Sequence, residues 1–135
     1  MYHGREQRTS TREYLDPVRD ISNESSGKQG YEIALALNKL GIKTTVIAGP
    51  STYKVPKDIK VKKVTSADEM MLKVKDSLPV DLAVCAAAVA DFKPILKKNK
   101  KIKKDEIESN SIILKKNNDI LEYLSKNNKS RPRIV

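Results

Sequence analysis

The sequence predicts an α/β fold with a parallel sheet, because short apolar runs alternate along the chain with segments of helical periodicity. Two runs support this prediction most strongly: the β-branched run 44–48, and the run 81–90, which is apolar on both faces as central parallel strands are. A chain of 135 residues can bury one modest hydrophobic core. We therefore expect one domain, with right-handed crossovers and with ligands bound at the carboxyl ends of the strands.

The first helix is predicted over residues 31–40. Ile33, Leu37 and Leu40 share one face at helical spacing, and Gly41 suits the position just beyond the C-terminus. The run 44–48 should then form a buried strand, since it is β-branched and is closed by a Gly-Pro turn. A strand, loop and helix alternation thus begins early in the chain.

Later elements follow the same alternation. Residues 66–69 (Ser-Ala-Asp-Glu) form a capping-box pattern that opens a helix extending to about Asp76, and Leu78-Pro79 ends this helix. The run 81–90 should be a central strand that ends at the polar Asp91. The remaining predicted elements are a strand at 61–64, a strand at 112–114, a helix at 119–124 capped by Asn118 or Asp119, and a strand that begins at 134–135.

The charge of the chain favours anionic partners. Lysine and arginine number 27 against 17 acidic residues, a net charge of +10, which suits phosphorylated metabolites, nucleotides or nucleic acid. With one phenylalanine, five tyrosines and no tryptophan, the chain has few rings to stack on bases. Binding of single-stranded nucleic acid is therefore disfavoured.

Two further features bound the class of protein. The lone Cys85 excludes an internal disulfide and a cysteine metal cluster, and its place in an apolar run predicts a small buried side chain. The longest apolar stretch is too short to cross a bilayer, and the first residues are polar rather than signal-like. We expect a soluble protein in the reducing cytoplasm.

A loop before the first helix is a candidate anion site. Residues 22–30 are small and turn-forming, and they end in Gly-Lys-Gln-Gly. Glycines let the backbone approach a ligand, and free N–H groups at a helix start favour phosphate. The loop is not a nucleotide P-loop, because the Gly-Lys-Ser/Thr ending is absent, and no G-x-G-x-x-G fingerprint occurs. An ordinary Ser-capped helix start accounts for the same residues, so both interpretations stay open.

Two more features could contribute to such a site. Asp91 could hydrogen-bond a ligand hydroxyl or hold a metal through water, or it could cap a turn. Six of the eight residues from 97 to 104 are lysine. This run could be a solvated loop whose like charges repel and keep it soluble. It could instead be a cation clamp for phosphoryl or nucleotidyl transfer. The only histidine is His3, so no Ser-His-Asp or zinc constellation is available.

Two long motifs follow each other near the start of the chain. Residues 11–19 read Thr-Arg-Glu-Tyr-Leu-Asp-Pro-Val-Arg, and residues 21–27 read Ile-Ser-Asn-Glu-Ser-Ser-Gly. Later come 86–92 (Ala-Ala-Ala-Val-Ala-Asp-Phe), 101–104 (Lys-Ile-Lys-Lys) and 116–120 (Lys-Asn-Asn-Asp-Ile). In this order they resemble phosphopantothenoylcysteine synthetase, whose signature is Thr-Arg-Glu-x-x-Asp-Pro-Val-Arg-x-Ile-Ser-Asn-x-Ser-Ser-Gly. This ligase is usually fused behind a flavin-dependent decarboxylase in bacteria.

The resemblance implies a Rossmann-like three-layer α/β fold with a mainly parallel sheet, here incomplete. Residues 11–135 would be a partial ligase domain with a mobile lysine-rich loop at about 93–105, and residues 1–10 an atypical polar start. The family opens with a hydrophobic strand ending in Gly-Gly-Thr, and it continues past the equivalent of Val135 to a Gly-Phe-Ala-Ala-Glu-like motif. We expect both pieces and the flavin domain to be missing from this chain.

The resemblance also implies a two-step reaction. CTP, with Mg2+, activates the carboxylate of 4'-phosphopantothenate as an acyl-cytidylate and releases pyrophosphate. The amine of cysteine then displaces CMP. The family is homodimeric, and a flavin-dependent decarboxylase domain is a further partner that the resemblance implies.

Site roles follow by matching position. Asn23 and Lys101 would be catalytic, with Asn23 stabilising the acyl intermediate, and Arg19 would reach substrate across a dimer interface. The residues implied to line the phosphopantothenate pocket are Asn23, Ala87, Ala88 and Asp91. Those implied to bind the nucleotide are Ser26, Gly27, Lys28, Lys101, Lys103 and Lys104. No residue is predicted to hold a metal ion directly.

Two rival hypotheses remain. One is a truncated, inactive remnant that binds phosphorylated ligands without turnover. The other, which we disfavour, is a basic nucleic-acid-binding module whose affinity falls steeply with salt. Neither a membrane partner nor nucleic acid is expected.

Overall fold

The computed structural model describes residues 10–51, 53, 55–103, 111–126 and 129–135. The elements in chain order are β1 (Arg12–Asp16), β2 (Arg19–Ser22), α1 (Lys28–Lys39), β3 (Thr45–Ala48), β4 (Lys60–Lys63), α2 (Ala67–Lys75), β5 (Phe92–Pro94), β6 (Leu114–Lys116) and α3 (Ile120–Lys126). The α/β class is confirmed. Most of the polar start, residues 1–9, lies outside the described residues, as does the end of the predicted lysine-rich loop at 104–105.

The strands pair in three two-stranded sheets. β3 and β4 are parallel, with Val46 opposite Val61, as a crossover fold requires. β1 and β2 form an antiparallel hairpin, and β5 pairs antiparallel with β6. β1 also contacts β5, so the two antiparallel pairs adjoin each other. The predicted strand 112–114 is displaced to Leu114–Lys116, because these are the residues that pair with β5.

Helix α1 is longer at its start than the predicted helix. It begins at Lys28 and ends at Lys39, and Gly41 takes a left-handed φ of 77° just beyond it. Its buried side chains are Tyr31 and Ala34, whereas Leu40 is 76% exposed. The predicted apolar face is thus wrong at Leu40, because the face containing Tyr31 and Ala34 is the one turned inward.

Helices α2 and α3 are capped by the side chains that the sequence indicates. The Ser66 hydroxyl accepts a hydrogen bond from the Glu69 N–H at 3.2 Å, and the Glu69 carboxylate accepts one from the Thr65 N–H at 2.7 Å. Asp119 accepts a hydrogen bond from the Glu122 N–H at 2.9 Å, so Asp119 rather than Asn118 is the cap. No helix in the described part of the chain has the length and apolar character needed to span a membrane.

The hydrophobic core lies where α2 and α3 meet the parallel strands. Its buried members are Val64, Met70, Met71, Ile120 and Leu124. Around them pack the half-buried residues Ile47, Val74, Leu78, Ala83, Ala87, Val89 and Tyr123. Burial of a side chain of this size contributes about 1.5–3 kcal/mol, so this cluster anchors the segment that runs from Ala83 to Val89.

The segment 81–90 does not form the predicted central strand. It makes one parallel bridge, between Leu82 and Ile134, supported by a hydrogen bond of 2.9 Å from the Ala83 N–H to the Ile134 carbonyl. The predicted strand at 134–135 therefore does pair. Val84 is 50% exposed and Cys85 is exposed, so the expected burial of Cys85 is wrong. The core cluster packs against one side of this segment, and the side chains of Val84 and Cys85 lie on the exposed side.

Candidate functional site

Asn23 lies against residues 86–90, which we call the small-residue segment. Its hydrogen-bond partner there, Val89, is 66 positions away along the chain. Asn23 directly follows β2, and its side-chain amide donates a hydrogen bond of 3.0 Å to the Val89 carbonyl. Ala87 and Ala88 are half-buried immediately before this carbonyl. The structure thus brings three of the predicted pocket residues, Asn23, Ala87 and Ala88, to one place.

The turn that carries Asp91 is held by three hydrogen bonds, one to Thr11 and two to Asn117. The Ala90 N–H donates to the hydroxyl of Thr11 at 2.9 Å, and the Ala90 carbonyl accepts from the side-chain amide of Asn117 at 2.7 Å. The Asn117 N–H donates to the Asp91 carbonyl at 2.8 Å. Among the described residues, the exposed carboxylate of Asp91 has no hydrogen-bond partner, so it caps no turn there and is accessible to a ligand.

The loop before α1 contains two hydrogen bonds from backbone N–H groups to serine hydroxyls, but no side chain caps the helix. The Ser25 hydroxyl accepts from the Gly27 N–H at 3.3 Å, and the Ser26 hydroxyl accepts from the Lys28 N–H at 3.4 Å. Gly27 is the N-cap with a left-handed φ of 65°, a conformation that a side chain disfavours. The N–H groups of Gln29 and Gly30 have no acceptor within the described ranges. The interpretation as a Ser-capped helix start is therefore wrong, because the N-cap is Gly27 and no side chain caps the helix, whereas the anion site stays a prediction.

The start of α1 adjoins the same small-residue segment. A Cβ placed on Gly30 would lie 3.6 Å from the Ala86 Cβ, so helix and segment are in close contact. We call Asn23, residues 26–30 and residues 86–91 the Asn23 site. It joins free N–H groups at a helix start, one exposed lysine, one amide and one carboxylate. Such a set can bind an anion together with a polar group.

The lysine-rich run is attached along β1. We call residues 97–103 the lysine segment. Its Lys98 N–H donates to the Leu15 carbonyl at 2.8 Å, and its Ile102 N–H donates to the Asp16 carboxylate at 3.1 Å. The Lys97 ammonium lies 5.5 Å from the centre of the Tyr14 ring. Three successive residues of β1 therefore hold this segment.

The lysine segment lines an open depression of about 530 Å3. Its lining residues are Lys98, Asn99, Lys100, Lys101 and Lys103. The predicted catalytic Lys101 and nucleotide-binding Lys103 thus line a concave, positively charged surface that suits a phosphorylated ligand. The predicted Lys104 lies outside the described residues.

The chain matches the family described as DNA/pantothenate metabolism flavoprotein C-terminal domain over residues 8–135. It belongs to this family. Curated relatives carry the name Coenzyme A biosynthesis bifunctional protein CoaBC. The one from Borreliella burgdorferi is 40% identical over 129 residues, which are 93% of this chain and 32% of that protein. The one from Haemophilus influenzae is 42% identical over 128 residues, which are 93% of this chain and 31% of that protein.

Solved structures of the flavoprotein C-terminal domain family share the fold. A crystal structure of the C-terminal domain of a Coenzyme A biosynthesis bifunctional protein CoaBC superposes with a TM-score of 0.75 at 33% identity. It covers 92% of this chain and 57% of that one. The DNA/pantothenate metabolism flavoprotein from Streptococcus pneumoniae, at 20% identity, has a TM-score of 0.74 and covers 92% of this chain and 66% of that one. The chain spans about a third of the length of the curated relatives.

In this family member, the predicted site residues that the structure describes form two groups. Arg19 donates to the Ile102 carbonyl at 3.3 Å and therefore lies with the lysine segment. Asn23 lies with the small-residue segment. Because Arg19 and Asn23 stand at opposite ends of β2, four residues apart along an extended strand, about 13 Å separates their backbones. Within one chain the Arg19 guanidinium therefore contacts the lysine segment, and its predicted role across a dimer interface stays a prediction.

Asp16 is a buried acid beside the lysine segment, for which the sequence analysis predicted no role. Its side chain is fully buried and forms a 3.0 Å ion pair with the half-exposed Arg19 guanidinium. Burial works against the charged carboxylate, but the N–H donors of Val18, Ile102 and Arg19, together with the Arg19 charge, outweigh it and lower the pKa of Asp16. Its position before Pro17 was a detectable turn signal.

Glu13 is a second missed acid, with the opposite shift. It is 5% exposed, and its carboxylate accepts a hydrogen bond of 2.7 Å from the Ala67 N–H at the start of α2. Burial raises the pKa of Glu13, the negative charge of Asp68 adds to the rise, and the Ala67 N–H only partly offsets it. Within the described ranges, no three His, Cys, Asp or Glu side chains group as metal ligands.

Proposed function

We propose that this chain is the ligase part of a phosphopantothenate–cysteine ligase of coenzyme A biosynthesis, which uses CTP. The observation that carries the proposal is the hydrogen bond from Asn23 to the Val89 carbonyl, which joins the signature loop to the small-residue segment beside the start of α1. The names of the relatives, which refer to coenzyme A biosynthesis, support it.

The first half-reaction joins two anions. An oxygen of the phosphopantothenate carboxylate attacks the α-phosphorus of CTP, and the bond from that phosphorus to the bridging oxygen breaks to release pyrophosphate. Lys101 and Lys103 are suited to stabilise the negative charge that develops on the leaving pyrophosphate, because they line one concave surface. The Gln29 and Gly30 N–H groups and Lys28 supply further positive potential at the Asn23 site.

The second half-reaction is displacement at the acyl carbon. The amine of cysteine attacks this carbon, the bond to the phosphate oxygen breaks, and CMP leaves. Asn23 is placed to hold the acyl group by its amide, and Asp91 to bind a hydroxyl or amine of the substrates. Ala87 and Ala88 leave room for the pantothenate chain, since their side chains are small.

Mg2+ belongs to the proposal as a partner of the triphosphate. It usually keeps several waters and is bound by substrate phosphates with one or two carboxylates, rather than by a cage made only of protein groups. The donor set here fits this mode, because Asp91 is the one carboxylate of the Asn23 site and is exposed. Asp91 is therefore the residue that would hold Mg2+ through water.

We include a homodimer in the proposal. The backbones of Arg19 and Asn23 are about 13 Å apart along the extended strand β2, so we propose that a second copy supplies an arginine to the Asn23 site. Exposed apolar side chains around β5 and β6 offer a surface for that copy. They are Phe92, Ile95, Leu96, Ile112, Ile113 and Leu114. A flavin-dependent decarboxylase domain and a cytoplasmic location complete the proposal.

The test is pyrophosphate release by the purified chain from CTP and Mg2+, with and without 4'-phosphopantothenate and before cysteine is added. Release that requires phosphopantothenate is the expected result, because it reports formation of the acyl-cytidylate. Folding is verified in parallel by circular dichroism. A folded chain that binds CTP but releases no pyrophosphate would contradict the ligase and favour the inactive phosphate-binding remnant.

A further inference from the structure

We propose that Asp16 is a positioning residue for the ligase reaction: its buried carboxylate fixes the backbone between Lys101 and Lys103 and thereby places their ammonium groups. This inference rests on the proposed function, since it assigns a role within that reaction. Asp16 touches neither lysine side chain in the hydrogen bonds that the structure shows. It acts through Ile102, which lies between them in sequence.

The Asp16 carboxylate accepts four hydrogen bonds, divided between its two oxygens. Oδ1 accepts from the N–H groups of Val18 and Arg19, both at 2.9 Å, and so shapes the turn between β1 and β2. Oδ2 accepts from the Arg19 guanidinium at 3.0 Å and from the Ile102 N–H at 3.1 Å. One oxygen therefore serves the turn, and the other serves the lysine segment.

Both backbone groups of Ile102 are engaged. Its N–H donates to Asp16, and its carbonyl accepts from the Arg19 guanidinium at 3.3 Å. The backbone at Ile102 cannot rotate without losing two hydrogen bonds, one of which is to a buried charge. Lys101 and Lys103 lie on either side of Ile102 and are exposed, so fixing the backbone at Ile102 limits where their side chains can reach.

A second hydrogen bond narrows the freedom of the segment further. The Lys98 N–H donates to the Leu15 carbonyl, so the chain from Lys98 to Ile102 begins and ends on adjacent residues of β1. Lys100 and Lys101 lie inside this short closed loop. Like charges held so near each other repel, and without the hydrogen bonds to β1 they would separate.

The two-oxygen arrangement makes a selective substitution possible. Asp16→Asn keeps the size of the side chain but leaves it one acceptor oxygen and one donor group. The oxygen can continue to serve the turn, whereas the NH2 group would face two donors, the Arg19 guanidinium and the Ile102 N–H. The substitution should therefore release the lysine segment while retaining the hairpin. Asp20→Asn is the matched control, because Asp20 is an exposed acid on β2 of the same hairpin.

The first readout is amide hydrogen exchange of the full chain without ligands. In Asp16→Asn, the peptide containing Ile102 should exchange about tenfold faster or more, since a hydrogen bond to a charged group is lost. Peptides from α2 should be unchanged, and Asp20→Asn should match the wild type. Unchanged exchange at Ile102, or an equal increase throughout the chain, would overturn the proposal.

The second readout is the split between kcat and KM for pyrophosphate release. Asp16→Asn should lower kcat by about 10-fold to 100-fold and change the KM for phosphopantothenate by less than about threefold, because placed lysines act on charge that develops in the transition state. A raised KM with unchanged kcat would overturn the positioning role. If the wild type releases no pyrophosphate, the ligase proposal fails, while the exchange experiment still reports whether Asp16 holds the segment.

A second variant covers the case in which Asp16→Asn does not fold. Arg19→Ala removes the donor to the Ile102 carbonyl and leaves the Asp16 carboxylate in place, and Arg19 is half-exposed, so the fold should tolerate the change. Exchange at Ile102 should rise, but by less than in Asp16→Asn. No rise would overturn the proposal.

Discussion

The hydroxyl of Thr11, which is fully buried, accepts a hydrogen bond of 2.9 Å from the N–H of Ala90. The two residues are 79 positions apart, so the residue just before β1 holds the turn that presents Asp91. The signature and the small-residue motif are therefore parts of one structural unit. The resemblance of each motif to the family did not indicate that the two motifs contact each other.

Thr11→Val should destabilise the chain by about 1–3 kcal/mol, because it leaves the buried Ala90 N–H without an acceptor at nearly constant side-chain volume. Urea unfolding followed by circular dichroism measures the change. Thr45→Val, at an exposed position of β3, is the matched control and should stay within about 0.5 kcal/mol of the wild type. Equal stabilities of the two variants would show that the Thr11 hydroxyl contributes nothing.

Asn23→Ala should lower phosphopantothenate-dependent pyrophosphate release by about 100-fold or more, since loss of one donor to a developing charge typically has that effect. Its stability should change little, because Asn23 is exposed. Glu24→Ala, at the next exposed position, serves as the control. Full activity in Asn23→Ala would remove the amide from the proposed mechanism.

Glu13 should make the chain less stable as pH rises. Its pKa in the folded state lies above the ordinary 4.5, so its contribution is fully present below pH 4.5 and is lost as pH rises through the folded pKa. Glu13→Gln keeps an oxygen for the Ala67 N–H but cannot ionise. The stability advantage of Glu13→Gln over the wild type should therefore grow from pH 4 to pH 7, as measured by urea unfolding. An advantage independent of pH would contradict this assignment.

Asp16 should make the chain more stable as pH rises, which is opposite to the effect of Glu13. The folded pKa of Asp16 lies below the ordinary 3.8, so Asp16 stabilises the chain above that pH, and the contribution is lost as pH falls through the folded pKa. The deficit of Asp16→Asn against the wild type should be largest near neutrality and should shrink below about pH 3.8. Thermal unfolding at several pH values measures it, with Asp20→Asn expected to show no such trend.

Leu96→Asp should shift the proposed dimer toward monomer. Leu96 is 75% exposed among the apolar side chains around β5, and a charge placed in a buried interface costs several kcal/mol unless it is paired. Leu40→Asp is the matched control, since Leu40 is 76% exposed at the end of α1. Sedimentation velocity over a range of concentrations decides the question. Equal association of both variants would place the interface elsewhere.

The sequence allowed the helices to be predicted better than the sheet. Local signals specify α2 and α3, because the Ser66 and Asp119 caps act within one turn. The dipeptide Asp16-Pro17 is typical of a turn, but the hairpin β1–β2 was not predicted from it. Whether residues 81–90 form a strand depends on neighbours that lie far away in sequence. In the described part of the chain, the segment forms a β-bridge only with Ile134.

The candidate site was predictable as a set of residues but not as an arrangement. Motif resemblance grouped Asn23 with Ala87 and Ala88, and the structure brings these together. It also implied that Arg19 acts across a dimer interface and that Lys101 lies on the lysine-rich loop, and within one chain Arg19 contacts that loop at Ile102. Which residues hold others in place, as Thr11 and Asp16 do, depends on contacts across 79 and 86 positions and has no local signature.

The hydrogen bond between Asp16 and Ile102 also bears on the order of folding. It closes a loop of 86 residues, so its entropic cost is recovered only after α1, α2 and the parallel strands have brought β1 and β5 together. The lysine segment should thus be among the last parts to reach its native position. In a nascent or partly unfolded chain the lysine side chains would have no fixed arrangement, so the proposed carboxylate activation would require completed folding.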